Sequence, residues 1–217
     1  MDNFEIIDFD HNNPEHLKTI GMLHGIFLPE SNVPGLGRLF MNKFYYKILP
    51  ETGLLKCFFA KYDNKVVGII VTNKAPHSLI SKGMKGNMLK LAFIVGTSIL
   101  LRPTRIKFLL SQFKYKVDPL LKKYEDTGKA FEILTIGVLP EYRSVKFENN
   151  KKIAHKMVDH AISHYKKNGY KYITGQILKT NIAPLKFYQA YQAKYIDSSV
   201  RDTGVIMEVD LEKIGLA

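Results

Sequence analysis

Two adjacent lysines, Lys151 and Lys152, open the most regular apolar stripe of the chain. Ile153, Ala154, Met157, Val158, Ala161, Ile162 and Tyr165 follow at three- and four-residue spacing, which predicts an amphipathic helix over 151–167, ended by Gly169. The first turn of a helix has backbone N–H groups without intrahelical partners, and with the positive end of the dipole they attract phosphate. Cations in that turn oppose the dipole, so Lys151 and Lys152 make physical sense if an anion sits there. A solvated basic turn is the competing reading. Glu132 heads the β-rich run 131–138, which leads into Val138-Leu139-Pro140-Glu141-Tyr142-Arg143. Beyond the helix a second β-rich run, 170–178, leads to Asn181 and a short helical stretch carrying Phe187 and Tyr188. The single cysteine, Cys57, lies in the apolar run LLKCFFA and reads as a small buried hydrophobe rather than a nucleophile. One cysteine also excludes an internal disulfide framework and a cysteine metal cluster, and no metal site is expected.

The elements that must position these residues can be read from pattern. Residues 4–9 alternate weakly as a first strand, and Asn13-Pro14-Glu15 marks a helix start. Leu17, Ile20, Leu23, His24 and Phe27 continue it at helical spacing to Pro29, and a second helical stretch covers 36–49. Runs 54–62 and 65–72, joined by Asp63-Asn64, predict a hairpin. Ile106, Leu109, Leu110, Phe113, Val117, Leu120, Leu121 and Tyr124 predict an amphipathic helix interrupted at Asp118-Pro119. A short helix at 183–193 and strands at 194–196 and 205–211 end the chain. The order is β-α-α-β-β-(helical insertion)-β-α-β-α-β-β, which argues for a mixed α/β sheet.

With 217 residues and 46% apolar content, the chain can bury one large core. The net charge is +12, and residues 74–129 hold twelve Lys/Arg against three acids, Asp118, Glu125 and Asp126. That charge could serve a polyanionic small molecule, an anionic lipid surface or nucleic acid. No helix-turn-helix, zinc-finger or RNP-like pattern accompanies it, so no nucleic-acid partner is expected. The longest apolar run, 91–101, falls short of the ~20 residues that span a bilayer. An acidic N-terminus unlike a signal peptide and the lone cysteine make a cytoplasmic setting the expectation.

The segment 131–196 resembles the cofactor core of the GNAT acyltransferases. That family shows a strand, V-x-P-x-Y-R, a glycine-containing phosphate turn, a long helix, a strand ending in Asn, and a helix with an F-Y pair. Val138, Pro140, Tyr142, Arg143, Ala154, Asn181, Ala183, Phe187 and Tyr188 stand in matching places. The chain departs from the pattern where Lys152 replaces the first glycine, where extra residues follow Arg143, and where Ala193-Lys194-Tyr195 replaces a Gly-Phe pair.

The resemblance implies an α/β (α+β) GNAT fold with a mixed, mostly antiparallel sheet flanked by helices. One domain would cover 1–217, with the basic helical insertion at 74–129. It implies transfer of an acetyl group from acetyl-CoA to a primary amine of a small molecule. The strand backbone at Ile136, Gly137 and Val138 would pair with the pantetheine arm. Arg143 and the turn Asn149, Asn150, Lys151, Lys152, Ile153 and Ala154 would hold the pyrophosphate, and Asn181 would contact the arm. Tyr188 would protonate the departing thiolate and Glu132 would take the amine proton. His155, His160 and His164 are expected on the solvated side of the long helix, with His24 and His77 as alternatives near an acceptor pocket. The insertion would recognise an anionic acceptor such as an amino sugar or nucleotide-linked amino sugar, make a homodimer contact, or rest on a membrane surface. Because Lys152 displaces a glycine, a non-catalytic binding or sensor module is the alternative to an enzyme.

Overall fold

The computed structural model describes residues 3–29, 35–107, 110, 117–147, 150–200 and 202–215. Strand β1 is Phe4–Asp8 and helix α1 is Pro14–Phe27. The Asn13 side chain accepts from the N–H groups of Glu15 and His16, and Pro14 sits at the first helical position, so α1 starts where the sequence places it. Helix α2 spans residues 38–51 and is π-helical over Met41–Ile48. Strands β2 (Leu55–Tyr62) and β3 (Lys65–Asn73) form the expected hairpin. Asp63 and Asn64 have φ of 47° and 63°, the left-handed pair that matches strand twist in a two-residue turn.

Between β3 and β4 lie α3 (Leu79–Met84), α4 (Met88–Leu101) and α5 (Pro119–Asp126). Then come β4 (Ala130–Val138), α6 (Ile153–Lys167), β5 (Tyr172–Leu178), α7 (Ile182–Gln189), β6 (Lys194–Asp197) and β7 (Gly204–Asp210). The predicted interruption at Asp118-Pro119 is where a new helix starts: Asp118 caps it by accepting from Leu120 N–H, and the same carboxylate takes hydrogen bonds from Ser198 and Ser199. Leu109 and Phe113 lie outside the described residues, and Ile106 and Leu110 are exposed rather than packed.

The seven strands form one sheet in the order β1-β2-β3-β4-β5-β7-β6. Every neighbouring pair is antiparallel except β4–β5. One face carries α6, with Phe58, Ile70, Phe131, Met157 and Ile162 in its core. The Phe131 and Tyr165 rings stack there at 3.8 Å. The other face carries α1 and α2, with Ile20, Leu23, Phe44, Tyr46 and Phe59 buried beneath them. Cys57 is buried in this second core and its thiol is pushed up by burial, as its apolar context implies.

Candidate active site

Strands β4 and β5 pair only at Ala130–Tyr172, Phe131–Ile173 and Glu132–Thr174. Beyond Glu132 both strands continue, to Val138 and Leu178, without pairing to each other, so the sheet opens into a fork. A register shift between Val71 and Thr72 leaves β4 with an extra residue opposite β3, and such a bulge increases local twist. Leu139 N–H donates to Val67 C=O at 2.8 Å. Strand alternation therefore turns the backbone of Gly137 toward β3 and presents that of Ile136 and Val138 to the fork. Of these outward groups the Val138 carbonyl is taken by Arg143, whose Nε donates to it at 2.9 Å. Gly137 meets α1 instead: a Cβ there would fall 2.1 Å from the Phe27 ring.

Glu132 stands at the base of the fork. Its carboxylate accepts from Asn73 Nδ2 at 3.1 Å and from the backbone N–H of Gln176. Burial nonetheless raises it from 4.5 to about 7, because two hydrogen bonds do not replace full hydration of the charge. Tyr188 projects from α7 and is buried. Burial first, and the nearby Glu132 charge second, keep its phenol protonated far above neutrality. Tyr188 thus lies within reach of the Glu132 charge, a phenol that keeps its proton near a carboxyl poised near neutrality. Asn73 and Gln176 were not read from the sequence. The only sequence signal is that Asn73 breaks the apolar run VVGIIVTN at its last position.

Lys146 and Lys152 form an antiparallel bridge, and Phe147 N–H donates to Lys151 C=O at 2.9 Å. Among the described residues of the loop before α6, Asn150 is left-handed, φ 58°, and its residue type tolerates it. Lys152 is the helix N-cap in ordinary extended backbone, φ −83° and ψ 165°, so a side chain is accommodated where the family's glycine would stand. No side chain caps α6, and its first return bond runs from Lys156 to Lys152. The amides of Ile153, Ala154 and His155 therefore precede the helical ladder and, with no acid in the first turn, suit an anion.

The two expected lysines part company. Lys152 is exposed at the turn, whereas Lys151 folds back onto Asp159 at 2.8 Å. Asn149 lies outside the described residues, and Asn181 is the exposed N-cap of α7, with no side-chain capping bond.

The histidines differ from expectation. His160 and His164 pack edge-on against Phe58 at 4.8 and 5.5 Å, and burial depresses both. His155 lies against Phe187 at 4.8 Å, and its Nδ1 is buried without a partner. A β-strand aromatic fills the space that helix periodicity alone assigned to water. His24 is a core residue, bonded to the Tyr46 hydroxyl and lowered to about 4 by burial, so it stays neutral. The backbone N–H of His77 is held by Glu125. Among the described residues no cluster could hold a metal.

No family model and no curated protein matches the chain. Solved structures do. A PaiA N-acetyltransferase from Thermoplasma acidophilum, solved in complex with coenzyme A, is 14% identical. The match covers 96% of this chain and 99% of that one with a TM-score of 0.55. An acetyltransferase of the GNAT family from Staphylococcus aureus Mu50 is 12% identical over 96% and 99% of the two chains, TM-score 0.52. A second N-acetyltransferase from the same organism is 14% identical with the same coverage and TM-score. With its forked seven-stranded sheet, bulged β4 and uncapped α6, the chain has the fold of the GNAT N-acetyltransferases.

Proposed function

We propose that this protein is an N-acyltransferase that moves an acetyl group from acetyl-CoA to a primary amine of a small molecule. One observation carries the reading: the fork opens at Glu132, whose carboxyl is raised to about 7, and the protonated phenol of Tyr188 lies near enough to feel its charge. The residues present fit a coenzyme A moiety. The amides of Ile153 to His155 would meet phosphate, with Lys152 beside them, and the outward backbone of Ile136 and Val138 would bind an extended amide-bearing arm. Bound acetyl-CoA supplies an activated thioester.

Glu132 would accept a proton from the substrate's ammonium at its carboxylate, directly or through one water, leaving the neutral amine to attack the thioester carbonyl. Asn73 and the Gln176 amide hold that carboxylate in place. Tyr188 would keep a proton at Oη for the leaving sulfur. The one cysteine of the chain, Cys57, is buried in the second core with its thiol protonated, so it is not available to form a covalent intermediate. The reaction is thus a direct transfer within a ternary complex. Lys152 at the phosphate turn is the feature that favours the rival reading, a binder without turnover.

The buried Cys57 makes free-thiol release a clean assay. Acetyl-CoA is offered with amino sugars, nucleotide-linked amino sugars and simple primary amines. Amine-dependent release of thiol supports the proposal. Binding of acetyl-CoA by calorimetry without release for any amine supports the non-catalytic reading.

A further inference from the structure

Helix α4 is apolar on both sides. Its inner side packs Leu91, Ile94 and Val95 on the second core, and polar bonds fix its far end there: the Ser98 hydroxyl donates to Leu36 C=O, and Arg105 Nη1 donates to Ser98 C=O at 3.0 Å and to Ser98 Oγ at 3.1 Å. The outer side leaves further large apolar side chains in water. Leu89 is 88% exposed, Phe93 74%, Leu100 84% and Leu101 69%. Leu89, Phe93 and Leu100 follow i, i+4 and i+11 spacing, one face of a helix about 21 Å long, and Leu101 ends the helix beside them. Beside this face runs a groove of about 670 Å³ between α2 and α4, lined by Leu39, Ile48 and Phe93 and by three cations, Lys43, Lys47 and Lys90, against one acid, Glu51. A contiguous apolar face of this kind marks an interaction site.

Charge identifies the partner. From Lys74 to Lys107 the chain has seven cations (Lys74, Lys82, Lys85, Lys90, Arg102, Arg105 and Lys107) and no carboxylate. Lys85 and Lys90 stand exposed at the start of α4, and Arg102 stands exposed at its end, so positive charge brackets the apolar face. A second copy docking through the same face would set these like charges against one another. A bilayer with anionic headgroups satisfies both features, because it takes apolar side chains to the acyl boundary and neutralises the flanking lysines and arginine. We infer that α4 and its basic flanks form a peripheral docking surface for an anionic membrane. Among the described residues no helix is long and apolar enough to cross a membrane, so contact is with one leaflet.

The test is co-sedimentation of the full chain with vesicles of phosphatidylcholine alone or with about one-third phosphatidylserine. Wild-type protein should bind the anionic vesicles and lose binding as salt rises. The double variant Phe93→Ser, Leu100→Ser should lower partitioning about tenfold or more. The triple variant Lys85→Gln, Lys90→Gln, Arg102→Gln should lower it about fivefold per charge, on anionic vesicles only. Both sets change exposed residues, so melting temperature and coenzyme A binding should hold; if the apolar variant misfolds, the charge variant decides. No binding to anionic vesicles overturns the inference, as does equal binding to both vesicle types. A wild-type dimer that Phe93→Ser, Leu100→Ser dissociates, without vesicle binding, would assign the face to a second copy and also overturn it.

Discussion

Glu132 shows how a single residue's chemistry is set by neighbours far away in the chain. Its raised carboxyl has two measurable consequences. The folded protein binds this proton more tightly than the unfolded chain does, so between 4.5 and about 7 stability falls as pH rises. The full effect is on the order of 3 kcal/mol. Glu132→Gln removes the penalty: by chemical denaturation it should be more stable than wild type at pH 8, with the gap closing toward pH 4.5. A base must be ionised to act, so wild-type kcat/KM should rise through a pKa of about 7. In Glu132→Gln it should drop roughly 100- to 10,000-fold and lose that limb. Wild-type activity that is flat from pH 5 to 9 would place the base elsewhere. Tyr188→Phe keeps the ring packed against Phe187 and removes only the proton. Steady-state kinetics should show kcat reduced roughly 10- to 1000-fold, with acetyl-CoA affinity unchanged.

At the scale of elements, the fork depends on how closely α1 lies on β4. Gly137 lets the Phe27 ring sit against the strand, and a methyl group there would overlap ring atoms at 2.1 to 2.7 Å. Gly137→Ala should force α1 and β4 apart and cost about 1–3 kcal/mol, read as a lower denaturation midpoint. Because β4 carries Glu132 and one wall of the fork, kcat/KM should fall with it. An unchanged midpoint would mean that Phe27 can swing away without loss. The 146–152 turn works differently. There Asn150 is left-handed and the N-cap is extended, so Lys152 introduces no backbone strain. The departure from a glycine pattern leaves the uncapped helix terminus in place.

For the whole molecule, charge and ligand linkage are the relevant quantities. A ligand that binds only the folded state raises stability by about 2.7 kcal/mol at one hundred times its Kd. At roughly 2–4 °C per kcal/mol for a chain of this size, coenzyme A should lift the melting temperature by about 5–10 °C in differential scanning fluorimetry. Pantetheine without phosphates should do much less, since it leaves the amides of Ile153 to His155 unused. No shift at millimolar coenzyme A would remove the cofactor from the proposal. The net charge of +12 is unevenly held, and the structure divides the insertion's share of it. Lys82 is engaged with Glu125 at 2.7 Å and Arg105 with Ser98, while Lys85, Lys90 and Arg102 face solvent around α4. The expectation of an anionic acceptor at the insertion treated all of these cations alike.

The order of elements was determined by sequence alone, and so were the Asp63-Asn64 turn, the Asn13 cap and the buried stripe of α6. Each rests on a local rule: strand and helix periods, left-handed tolerance, and a side chain that reaches two or three residues onward. What decides the chemistry is not local. Asn73 and Gln176 reach Glu132 from two other strands, and no period in the sequence pairs residues so far apart. Lys151 was expected to face an anion, but eight residues on, at the same helix's second turn, Asp159 claims it. The histidines of α6 looked solvated on a helical wheel until Phe58 of β2 was brought against them. The roll of α4 was equally hidden. A helix that is apolar on nearly every side has no periodic signal to choose its buried face, and one serine and one arginine, Ser98 and Arg105, fix its far end through bonds that only the tertiary structure makes.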